Sequence, residues 1–137
     1  PADAENLYKF GEQIGLAFQL QDDFLDVYGD PKLFGKAIGG DIVSNKKTYM
    51  LINAFAKADK KQREELMTWI GKTDFDNNEK VETVTRLYNE IGIDKLAIEK
   101  IDYYFGESRK YLSAVEVPVS RKAELTRYAD NMMRRKY

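Results

Sequence analysis

The chain has no cysteine and no histidine among its 137 residues. This excludes structural disulfides, thiolate nucleophiles, Cys/His zinc sites and any imidazole acid–base chemistry supplied by the chain itself. Charge of one sign is also lacking: 22 Lys and Arg against 23 Asp and Glu leave a formal net charge of -1. No global basic surface points to nucleic acid or an anionic membrane, so any electrostatic function must be local. No apolar run reaches the roughly 18 residues of a membrane-spanning helix, and no basic-then-apolar leader opens the chain. The expectation is a cytoplasmic protein with neither a nucleic-acid partner nor membrane insertion. Its length suits about one ordinary domain. Because it begins at Pro1, directly ahead of a helical pattern, it is expected to be a processed or truncated product.

Helical periodicity dominates what is present. Leu7, Phe10, Ile14, Ala17, Phe18, Gln21, Phe24, Leu25 and Tyr28 recur at three- and four-residue steps and predict a helix over about 3–28, closed by Gly29, Asp30 and Pro31. Five glycine or proline residues between 29 and 41 predict a loop. Further helices are predicted over about 42–57, with Tyr49, Ile52 and Phe55 or Ala56 inward, over about 60–70, and over about 77–91, capped by Gly92. Asp94 is read as the N-cap of a helix over about 95–114, and Pro118 with Ser120 opens a last one ending near Arg135. Nothing reads as a strand, which predicts an all-α, antiparallel helical array. Gly11 and Gly15 inside the first helix each cost about 1 kcal/mol relative to alanine, and the close approach of a neighbouring helix is the expected reason.

The segment FQLQDDFLDVYGD, residues 18–30, sets three aspartates among apolar side chains. On a helix Asp22 and Asp26 are i,i+4 neighbours, Asp23 and Asp26 are i,i+3, and Gln19 lies one turn earlier. Like charges at that spacing repel, and poor hydration raises the cost. One reading is a solvated acidic face paired with lysines elsewhere. The other is a site for a hard divalent cation such as Mg2+, which one or two carboxylates commonly hold while substrate phosphate oxygens complete the shell. An EF-hand is excluded, since its ligands alternate along a loop.

Downstream, GKAIGGDIVSNKK places Lys36, Gly39, Gly40, Asp41, Lys46 and Lys47 in order. Lysines counter phosphate charge, glycines admit backbone, and Asp41 offers a further carboxylate. A P-loop is excluded, because GxxxxGK[ST] is absent.

Taken together, FQLQDDFLDVYGDPKLFGKAIGGDIVSNKKT resembles the second aspartate-rich motif, the GK loop and the D-x-x-x-x-K-x-T segment of the trans-isoprenyl diphosphate synthases, the polyprenyl synthetase family of farnesyl and geranylgeranyl diphosphate synthases. The resemblance implies the C-terminal half of the isoprenoid synthase fold, with residues 1–137 as a single C-terminal portion of that domain. It implies a prenyltransferase of isoprenoid biosynthesis that condenses isopentenyl diphosphate with an allylic diphosphate, such as geranyl or farnesyl diphosphate, by Mg2+-assisted ionisation. Asp22 would be the principal metal ligand, Asp23 and Asp26 would support it, and Asp41 would stand in the outer metal shell, with roughly two or three Mg2+ ions in a complete site. Gln19, Lys36 and Lys46 would contact the diphosphate, with Gln19, Asp22, Asp23 and Lys36 as the catalytic set, and Phe18 would line the prenyl pocket. Arg134 and Arg135, in the basic C-terminus, resemble a tail that closes over the homoallylic diphosphate; macrodipole complementation and solubility are the alternative. A homodimer is implied for the full-length protein.

The family's first aspartate-rich motif has no counterpart here, since Asp22-Asp23 is the only adjacent aspartate pair. The chain alone is therefore expected to be inactive. A noncatalytic helical subunit or interaction protein and a terpene cyclase-like diphosphate lyase are the competing readings; the second usually carries a different metal motif in place of this DDxxD and GK loop.

Overall fold

The computed structural model describes residues 2–30, 38–115 and 119–134. Among these the chain forms seven helices and no strand: α1 (Ala2–Tyr28), α2 (Gly40–Val43), α3 (Tyr49–Lys57), α4 (Lys60–Gly71), α5 (Asn77–Ile91), α6 (Ile93–Ser113) and α7 (Val119–Arg134). The predicted all-α class is what the structure shows.

The residues group into two compact units. One comprises Pro1–Asp22 and Ile98–Tyr137, and its buried side chains include Phe10, Ile14 and Leu20 from α1, Ile101, Phe105 and Leu112 from α6, and Ala129 from α7. The other runs from Asp23 to Ala97. There α5 is the hub, packing against α2, α3 and α4, and buries Val84, Leu87 and Tyr88 with Met50, Ala54, Leu66 and Trp69.

Local signals explain where these helices start and stop. The Asp59 carboxylate accepts the Gln62 N–H while the Gln62 side chain accepts the Asp59 N–H, a reciprocal cap that satisfies two otherwise orphaned donors at the start of α4. Asp76 caps α5 through the Glu79 N–H at 2.9 Å, and Gly92, at φ 88°, ends it in the left-handed region.

Three expectations are corrected. The helix predicted over 42–57 is two helices, because Asn45 sits at φ 58° and the Thr48 hydroxyl accepts the Leu51 N–H at 3.1 Å, starting a new helix. This restart turns Met50 and Ala54 inward and leaves Ile52 58% exposed. Asp94 is not a cap: α6 already begins at Ile93 and Asp94 lies in its first turn. Among the described residues no helix makes the expected close approach at Gly11 and Gly15, where an added Cβ would meet nothing within 4 Å.

Candidate functional site

α1 carries Phe18, Gln19, Asp22, Asp23 and Asp26 on unbroken helix, and the boundary between the units falls between Asp22 and Asp23. In the first unit Phe18 and Asp22 are half-buried and Gln19 is exposed. Lys36 and Arg135 lie outside the described residues, as does the side chain of Arg134, whose backbone ends α7.

The second unit brings Asp23 and Asp26 of α1 to Asp41 and Lys46. Lys46 Nζ donates to Asp23 Oδ1 at 3.1 Å and lies 3.8 Å from Asp41 Oδ2. One ammonium is thus shared by two carboxylates that are 18 residues apart in sequence, since 41 minus 23 is 18. The hydrogen bond to Asp23, then the charges of Asp23 and Asp41, raise the Lys46 pKa above its ordinary value, so the side chain stays cationic at neutral pH. Because Lys46 is exposed, its pairs add little to stability.

Asp26 has a different task. Its Oδ2 accepts the Asp41 backbone N–H at 2.9 Å, and its own carbonyl accepts the Gly39 N–H. Both bonds fasten the start of α2 to the end of α1. The approach requires glycine at position 39, which sits at φ 91° with a Val81 methyl 2.7 Å from where a Cβ would stand.

Beyond Asp41 the chain bends back, and the Lys46 N–H reaches the Asp41 carbonyl at 2.9 Å. Two residues that the sequence reading passed over hold this bend. Asn45 Nδ2 donates to the Ile70 carbonyl at 3.1 Å, and Lys80 Nζ donates to Asn45 Oδ1 at 2.7 Å. Lys80 was detectable from its spacing, four residues before Val84 on the buried face of α5, but lysine is not counted as an inward residue. Tyr88 lies nearby; burial and then the Asp41 charge push its pKa up, so its hydroxyl stays protonated at neutral pH.

Among the described residues no three acidic side chains gather around one point as a ready metal cage. The donor set nevertheless fits Mg2+, because Asp23 and Asp41 are hard oxygen donors within reach of a single positive charge, and Mg2+ commonly takes one or two carboxylates with phosphate oxygens and water. A neighbouring cavity lined by Asp41, Asn45, Thr48 and Lys80 measures about 10 Å³, room for one water and far too little for a prenyl chain.

The Polyprenyl synthetase family model matches residues 1–91. A short chain isoprenyl diphosphate synthase from Methanothermobacter thermautotrophicus is 42% identical over 74 residues, covering 54% of this chain and 23% of that protein. A farnesyl pyrophosphate synthase from Zea mays is 37% identical over 116 residues, covering 80% of this chain and 31% of that one. Among solved structures, one of geranylgeranyl pyrophosphate synthase superposes with a TM-score of 0.86 at 34% identity, covering 98% of this chain and 42% of its own. Another, geranylgeranyl pyrophosphate synthase from Corynebacterium glutamicum complexed with isoprenyl diphosphate and magnesium, gives a TM-score of 0.86 at 28% identity, with 98% and 38% covered. The chain therefore spans well under half the length of these relatives. With its aspartate-rich helix, its lysine loop and its all-α fold inside that match, the chain belongs to the polyprenyl synthetase family.

Proposed function

We propose that these residues form the diphosphate-binding wall, in the C-terminal portion of an isoprenoid synthase domain, of a homodimeric trans-prenyltransferase. Its reaction joins isopentenyl diphosphate to an allylic diphosphate. The observation that carries this reading is the Lys46 ammonium held between Asp23 and Asp41, which puts anion-binding and cation-binding groups side by side, as a metal–diphosphate complex needs.

In this reaction the allylic carbon–oxygen bond breaks and its electron pair leaves with the diphosphate. The isopentenyl double bond attacks the cationic carbon, and the resulting cation loses a proton to the released pyrophosphate. Lys46, joined by Lys36, stabilises the charge that grows on the leaving oxygens, as fixed cations do at such centres. Asp22 and Asp23, with Asp41 further out, would hold Mg2+, which when bound neutralises diphosphate charge as a Lewis acid. Asp26 keeps the loop in register through the Asp41 amide. The family resemblance would give Phe18 to the prenyl pocket, Gln19 to the diphosphate, and Arg134 and Arg135 to a basic tail over the homoallylic diphosphate, with macrodipole complementation as the alternative for the two arginines.

The test is product formation from labelled isopentenyl diphosphate, geranyl diphosphate and Mg2+. The 137-residue chain alone is expected to give no product, because it contains a single adjacent aspartate pair. The full-length parent should turn over, and in it Asp22→Ala or Lys46→Met should lower kcat/KM by about a hundredfold or more, equivalent to roughly 2.7 kcal/mol of transition-state stabilisation. Undiminished turnover by Asp22→Ala would overturn the assignment.

A further inference from the structure

Lys80 has no part in that chemistry, yet it is 0% exposed. Its Nζ donates to Asn45 Oδ1 at 2.7 Å and to the Val43 carbonyl at 3.2 Å, and sits 4.4 Å from the centre of the Phe75 ring. Among the described residues no carboxylate pairs with it. Burying an ammonium without an ionic partner is costly. Methionine or leucine would fill the position without that cost, but would bring no donors.

Both donors go to one place, the bend between α2 and α3. Asn45, at the centre of that bend, is the only non-glycine residue with positive φ among those described. It is held from two sides, by Lys80 of α5 and, through its own Nδ2, by the Ile70 carbonyl near the end of α4. Asp41 stands on α2 just ahead of the bend, and Lys46 follows Asn45 directly within it. Upstream, Asp26 holds the Asp41 amide. Any looseness at Asn45 would pass directly into the distance between Lys46 and the carboxylates, and groups that stabilise developing charge act by being held in place beforehand.

We propose that Lys80 is a positioning residue, which through Asn45 and Val43 locks the bend so that Lys46 and Asp41 keep their spacing to Asp23. The value of that spacing for catalysis rests on the diphosphate-binding function proposed above; the locking itself does not.

Amide hydrogen exchange on the full chain separates the two. Lys80→Met keeps nearly the same volume and removes the donors, while Asn45→Gly keeps the left-handed backbone and removes the acceptor together with the Nδ2 bond to Ile70. Each is expected to speed exchange at residues 41–48 by about tenfold or more while residues 64–70 and 84–88 stay within about twofold, as for a local opening. The double variant should exchange more slowly than the product of the two single effects, because both changes break the Lys80–Asn45 contact while each also loses a bond of its own. Exchange unchanged over 41–48, or accelerated uniformly across α4 and α5, overturns the proposal. Should Lys80→Met not fold, Asn45→Gly is judged by the same criteria.

Inorganic pyrophosphate with Mg2+ supplies the second readout. In the unaltered chain it should slow exchange over 41–48, and the concentration giving half protection should rise about tenfold in Lys80→Met, a shift that a loss of general stability would not produce. No protection in the unaltered chain, with the Lys80 effect on the bend intact, would overturn the diphosphate reading and leave the positioning role standing.

Discussion

Asp23 and Asp26 are one helical turn apart on α1 and chemically identical, but their surroundings give them different work. Asp23 meets an exposed ammonium; Asp26, 9% exposed, accepts a backbone amide. Asp26→Ala should therefore lower unfolding stability by about 1–3 kcal/mol, the usual cost of orphaning a part-buried donor. Asp23→Ala should cost at most about 1 kcal/mol, because exposed ion pairs contribute little. Urea titration of the two variants checks the order, and the reverse order is expected for Mg2+-dependent pyrophosphate binding. The sequence shows all three aspartates as one stripe through helical spacing. It does not show that one of them reaches an amide 15 residues onward, since that depends on the path of the chain through Gly39. Lys80 was missed for a related reason: side-chain type predicts exposure, and only packing against Asn45 and Phe75 reverses it.

At the scale of the elements, the periodic and well-capped helices were legible and the irregular connection was not. The predicted extents of α1 and α5 agree with the structure because each carries a long apolar face and a glycine at its end. Between α2 and α3 the residues Ser44–Thr48 read as helix, since none of them is glycine or proline. The evidence against a helix lay in weaker signals, an asparagine able to take positive φ and a threonine able to cap. Thr48→Ala distinguishes the two arrangements by the sign of its effect. At a cap it should cost about 1 kcal/mol, whereas in the interior of a continuous helix alanine would stabilise. Thermal unfolding followed by circular dichroism should show a lower midpoint for Thr48→Ala and nearly the original one for Thr48→Ser.

At the scale of the whole molecule, the fold class and the family were legible because helical period and an ordered set of motifs survive without coordinates. Among the described residues no helix is long and apolar enough to cross a membrane. The grouping into two units was not legible, since both draw on one uninterrupted helix: Ala17 and Leu20 are buried in one, Phe24 and Val27 in the other. A shared helix predicts joint unfolding. The only tryptophan, Trp69, lies in the second unit with Lys72 Nζ 3.7 Å from its ring centre, so its fluorescence follows that unit alone. Fluorescence and far-UV circular dichroism should give coincident denaturation curves, as a single cooperative transition requires; separated midpoints would show that the units open independently. The enclosed amine of Lys80 has a practical use as well. A dilute acylating reagent consumes amines in contact with water, Lys46 among them, and passes over the one shut between Asn45 and Phe75. Acylation at Lys80 then counts the moments when the second unit opens, and a mass spectrometer can read that tally without any attached label.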